Sequence, residues 1–141
     1  VTRDGGSGAA VPDGRRGASA DEVLAWLEET WSRTEAALIL AGGHGRGRLA
    51  DREVLGELFA PAGLAQLRAL TTVGEFTGDI CRCPGSLTVA LLDADCEFTG
   101  AGSLHGGTDL SWERGRFRNN LAVADPEGLC ALLRRYGAYW L

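Results

Sequence analysis

The feature that most constrains this chain is a change of rhythm at Thr71. Before it, apolar residues recur at helical spacing. Beyond it come short runs cut by glycine at 74, 78, 85, 100, 102, 106 and 107. Four runs, 71–76, 86–92, 96–104 and 108–113, have strand length and a period near two. Asp93-Ala94-Asp95 joins the second to the third and Gly106-Gly107 the third to the fourth, which predicts an antiparallel β-meander of about four strands. Such a sheet has to bury one face, and helices on either side of it in the sequence supply the second layer.

The first helix start is marked by Ser19 and Glu22, three apart as a capping box, followed by Val23, Leu24, Leu27, Trp31 and Leu38. This spacing predicts a helix over about 20–40, ending at Gly42-Gly43. Asp51 is placed to cap a second helix carrying Val54, Leu55, Leu58 and Phe59, and Pro61 to open a short third one through Leu64, Leu67 and Leu70. At the far end, Asp125 as N-cap and Pro126 at N1 start a helix through Leu129, Leu132, Leu133 and Tyr136 that stops at Gly137. The expected fold is therefore α+β: N-terminal helices, the meander, and a C-terminal helix packed on the sheet. The domain limits are 19–141, divided into a helical part 19–70 and a part 71–141 of sheet plus final helix. Residues 1–18, rich in glycine and without an aromatic residue, are expected to form a disordered tail.

A formal net charge of −5 argues against whole-surface attraction to nucleic acid or anionic membranes. No segment has the length of a membrane span or the apolar core of a secretory signal, so a cytoplasmic location is expected. The chain has no lysine and no methionine, as in a GC-rich bacterial gene read from a GTG start. Its four cysteines are then expected to be reduced, as core residues, metal ligands or reactive thiols.

Two of these thiols lie in Ile80-Cys81-Arg82-Cys83-Pro84-Gly85. An acidic turn, Ser103-Leu104-His105-Gly106, a tryptophan-bearing run and an Asp-Pro helix start follow. This order resembles a small family of uncharacterised bacterial domains of actinobacterial type, in which a C-x-C-x-G segment precedes a His-Gly turn. The resemblance covers Thr71 to Gly137. That family often has a second histidine before the His-Gly, where this chain has Leu104. The resemblance implies domain limits and no particular activity.

On an extended segment, Cys81 and Cys83 share one face. A hairpin folded about Ala94 pairs Leu92 with Cys96 and Cys83 with His105, bringing two thiols and an imidazole together as three ligands of a tetrahedral zinc site. Asp79 or His44 would be the fourth ligand. A one-residue slip pairs Leu91 with Phe98 and gathers Leu87, Val89, Leu91, Phe98 and Leu104 on one apolar face. That register turns His105 away from the thiols unless Pro84-Gly85 forms a bulge. The sequence leaves both registers open. Without a metal, Cys81 and Cys83 read as small buried residues at a strand start and His105 as a turn residue making ordinary hydrogen bonds.

Two arginine-bearing segments are candidate anion contacts. Arg46 and Arg48 lie in the glycine-rich stretch before Asp51, which lacks the Gly-Lys-Ser/Thr of a phosphate loop. Arg114, Arg116 and Arg118 surround Phe117, a composition suited to contacts with bases and phosphates. With two histidines and no G-x-S-x-G, no catalytic triad can be assembled from motifs. The sequence favours a non-catalytic binding or regulatory module acting through protein–protein contacts of its helical half or its sheet face. A zinc-binding protein or small metalloenzyme is the alternative, and nucleic-acid contact through 114–118 the weaker one.

Overall fold

The computed structural model describes residues 17–80 and 83–141. Among these residues, four α-helices, α1 (Ala20–Ser32), α2 (Pro61–Thr72), α3 (Arg114–Phe117) and α4 (Pro126–Arg135), and one 3-10 turn (Leu49–Asp51) accompany seven strands. The strands are β1 (Ala36–Ala41), β2 (Val54–Leu58), β3 (Gly74–Phe76), β4 (Leu87–Leu92), β5 (Phe98–His105), β6 (Asp109–Trp112) and β7 (Leu121–Val123). They form one sheet in the order β2-β1-β4-β5-β6-β7-β3, antiparallel throughout. The protein is thus α+β, and among the described residues no helix is long and apolar enough to cross a membrane.

Two of the three helix starts marked by caps form as expected, and the one at Asp51 does not, because Asp51 ends a short 3-10 turn that leads into a strand. Ser19 and Glu22 make the reciprocal capping box, and Asp125 accepts from the Gly128 amide with Pro126 at N1. The first helix, however, stops at Ser32 and not near 40. Arg33 and Thr34 tighten its last turn through bonds to Thr30 and Trp31, and Ala36–Ala41 leaves as a strand hydrogen-bonded on both sides. The run Ala-Ala-Leu-Ile-Leu-Ala is apolar at every position, which suits a strand inside a sheet, and Leu38 only coincides with the helical spacing. The segment with Val54 and Leu58 is likewise the edge strand β2 and not a helix, while Pro61 opens α2 as its position predicts.

Three of the four expected strands lie close to their predicted limits, and β4, β5 and β6 are consecutive in the sheet. The fourth member of this meander is β7, not the run at 71–76. Thr71 and Thr72 belong to α2, and what remains, Gly74–Phe76, pairs with β7 at the opposite edge.

Neither expected register forms. Leu87 pairs with Leu104 and Leu91 with Gly100, then a bulge sets Leu92 opposite Phe98. The turn sets this offset. The Asp93 carboxylate accepts from the amides of Asp95 and Glu97, and Cys96 adopts a left-handed conformation, φ 63°, so five residues separate the paired ends. Leu87, Val89, Leu91, Gly100, Gly102 and Leu104 consequently share the covered face, and Phe98 lies outside the core. The two glycines make room for indole rings. A Cβ at Gly100 would meet Trp26 Cη2 at 2.7 Å, and one at Gly102 would meet Trp112 Cε3 at 2.9 Å.

Val23, Leu27 and Trp31 of α1, Leu67 of α2, and Leu129, Leu132 and Leu133 of α4 fill the layer above this face. Ala18, assigned to the tail by composition, is held by its amide to the Phe117 carbonyl at 2.7 Å; residues 1–16 of that expected tail lie outside the described residues.

Candidate functional site

The alternate residues of β4, β5 and β6 point away from the helices, and there the side chains are small or polar. Thr88, Ser103 and Ser111 form a row across three strands, with Ala101 and His105 on either side of Ser103 along β5. All three hydroxyls are buried and bonded. Thr88 Oγ1 donates to the Gly42 carbonyl at 2.8 Å and accepts from Arg52 Nη1 at 2.6 Å. Ser111 Oγ lies 2.8 Å from Asn120 Oδ1, and Ser103 Oγ lies 2.9 Å from His105 Nε2.

Two segments wall this face. On the β1 side, the loop between β1 and β2 wraps around Arg52, whose guanidinium donates to the carbonyls of Gly42 and Gly47 as well as to Thr88. On the β6 side, Glu113 takes a left-handed conformation, φ 43°, and turns the chain into α3. Its carboxylate accepts from the Ala101 amide at 2.8 Å, substituting for a strand partner. Between these walls is a cavity of about 360 Å³, lined by His44, Arg52, Ser103, Glu113, Arg114 and Arg116 among others.

Beside the cavity, Cys83 Sγ lies 3.2 Å from His105 Nδ1. The sequence allowed this meeting in the apolar register only through a bulge at Pro84-Gly85, and Gly85 does take a left-handed conformation there, φ 88°. A Cβ on Gly85 would stand 2.7 Å from the Leu104 carbonyl oxygen and 3.3 Å from the imidazole, so the glycine is required for the close approach. The Pro84 carbonyl is fixed from the other side by the His44 amide at 2.6 Å.

His105 is only 4% exposed. Its basicity is held below the ordinary value chiefly by burial, and the nearby charges of Arg114 and His44 push the same way. Asp109, its cross-strand partner, and a hydrogen bond to the Cys83 backbone oppose them. A neutral imidazole held between a thiol and a hydroxyl can exchange a proton with the thiol.

Of the expected metal ligands, Cys83 and His105 meet, and Cys81 lies outside the described residues. Asp79 offers its backbone carbonyl to the Asn120 amide at 2.7 Å, and His44 lines the cavity. Among the described residues, no group of three His, Cys, Asp or Glu side chains is placed to hold a metal ion. Cys96 sits exposed at the β4–β5 turn, and Cys130 makes a long contact, 3.5 Å, to the Gly107 carbonyl.

The candidate anion contacts separate. Arg114 and Arg116 line the cavity, whereas Arg48 pairs with Asp51 at 3.1 Å on the surface. Arg46 packs its stem against Gly42 close to Arg52, and Arg118 ends α3 in a left-handed conformation, φ 54°. Phe117 is not a surface platform for a base. It is buried, edge-on to Trp26 at 5.3 Å between ring centres. Asn119 and Asn120 are also structural, receiving the Gly78 amide and binding the loop at 77–79.

Sequence reasoning missed Arg52, Thr88, Ser103, Ser111 and Glu113. A signal existed for the hydroxyls: each alternates with a large apolar neighbour on a strand, and Ser103 stands two residues from His105, on the same face. Comparison of the chain with protein-family models, with curated proteins and with solved structures returns no match.

Proposed function

We propose that the chain is a binding module that takes an anionic group on the open polar face of its sheet. The observation that supports this is the charge of the cavity. Arg52, Arg114 and Arg116 line it against one acid, Glu113, in a chain whose net charge is −5. Glu113 is already bonded to a backbone amide, and Arg114 and Arg116 line the cavity beside Arg52, with the Arg116 guanidinium 4.7 Å over the Phe117 ring, so an anion entering there meets a group of three guanidiniums. The anion is a carboxylate or phosphate, either of a small molecule or of an acidic segment on a partner protein.

Calorimetric titration at low salt with inorganic phosphate, and separately with an oligoglutamate peptide, tests the reading. Binding of either that weakens roughly tenfold or more in Arg116→Ala supports it, and the probe that binds identifies the source. Absence of binding by both, or equal binding by the variant, would sink it.

A further inference from the structure

We infer that Cys83 is a thiol-modification site, with His105 as its base and Ser103 as the residue that positions the base. Sγ of Cys83, Nδ1 and Nε2 of His105 and Oγ of Ser103 form one chain, with contacts of 3.2 and 2.9 Å at its two ends. Cys83 is exposed, whereas His105 and Ser103 are each 4% exposed. Cys83 therefore sits at the surface with its sulfur partly covered by the imidazole, while its base is fixed on a central strand and shielded from water. In the tautomer with the proton on Nε2, donated to Ser103 Oγ, the Nδ1 lone pair faces the sulfur, and the hydrogen bond to the Cys83 backbone favours the charged ring that forms once Nδ1 takes the thiol proton. This is the arrangement of an activated nucleophile, in which a thiol meets a base and a third group orients that base. The inference does not depend on anion binding in the neighbouring cavity.

The chemistry that this set can complete is thiol–disulfide exchange with a low-molecular-weight disulfide. Nδ1 of His105 takes the Cys83 proton, and the thiolate attacks one sulfur of the disulfide. The Cys83–sulfur bond forms as the reagent's sulfur–sulfur bond breaks. The Cys83 sulfur is oxidised, the departing sulfur is reduced, and the departing thiolate receives the proton held on His105. A second thiol reverses the step and restores Cys83.

The protein contains its own control. Cys96 is an exposed free thiol at the β4–β5 turn. Glutathione disulfide is the probe, and the rate of glutathionylation at each cysteine is read by tandem mass spectrometry on metal-analysed protein purified without a His-tag. Cys83 should react about tenfold or more faster than Cys96 at neutral pH, and His105→Gln should bring it to the Cys96 rate. Ser103→Ala, the milder variant, should slow Cys83 several-fold and shift the pH profile of its rate while leaving that of Cys96 in place. Equal rates at the two cysteines in the wild type would overturn the inference, as would an unchanged Cys83 rate and profile in Ser103→Ala. Retention of one zinc ion per chain that blocks Cys83 until chelation would overturn it too, assigning the residue to a metal site.

Discussion

On β4, β5 and β6, successive residues belong to two unlike surfaces. Leu104 and Ser103 are neighbours on β5 and both are buried, but Leu104 joins the apolar layer under the helices and Ser103 the polar row that ends at His105. Burial alone does not distinguish the faces. On the covered face, apolar area is withdrawn from water against α1, α2 and α4. On the open face, each buried hydroxyl has a specific partner, because a buried polar group without one costs about 1–3 kcal/mol. The covered face needs volume, and the open face needs particular atoms at particular distances. That is why the chemistry gathers on the open side.

Paired truncations on β5 test this contrast most directly. Leu104→Ala should lower unfolding free energy by about 2–5 kcal/mol, and Ser103→Ala by about 0.5–1.5 kcal/mol, in urea titrations. Comparable losses would erase the distinction between the faces. A smaller global effect is expected from Gly85→Ala, which adds a Cβ against the Leu104 carbonyl and the His105 ring at a left-handed position. It should cost about 1–3 kcal/mol and slow Cys83 towards the Cys96 rate; full reactivity in a folded Gly85→Ala protein would show that the close approach is dispensable.

The smallest effect concerns pH. Burial holds His105 below its ordinary value of 6.5, with Arg114 and His44 adding to the shift and Asp109 and the Cys83 backbone opposing it. The unfolded chain therefore binds this proton at a higher pH than the folded one. Stability present above pH 6.5 should decline as the pH falls below it towards the folded value. In His105→Gln this part of the acid loss should disappear, and identical stability–pH slopes for the two proteins in that range would remove the assigned role of burial.

Legibility in the sequence followed how local the determining interaction is. The starts of α1, α2 and α4 were readable because a cap bond or a proline acts within a few residues of itself. β1 and β2 were misread because an apolar run fits a strand or a helix until its neighbours are known. β7 is three residues long and too short to carry a period. In the site, Cys83 and His105 were legible as candidate zinc ligands brought together by strand pairing, and Pro84-Gly85 as the place where a bulge would join them. Ser103 and Arg52 were not, because a serine and an arginine take their roles from partners far away in the chain. Arg52 Nη1 and Thr88 Oγ1 meet across 36 positions.

From the sequence came the antiparallel meander with helices before and after it, the starts of α1, α2 and α4, and the residue types that could carry chemistry between 79 and 105. Only the tertiary structure decided the register. A bulge at Leu91 and Leu92 and a five-residue turn stabilised by Asp93 shifted the pairing away from both simple alternatives, and the left-handed Gly85 then returned Cys83 to His105. The physical reason is that alternation fixes which residues share a face of a strand, whereas the partner opposite each residue depends on turn and bulge geometry.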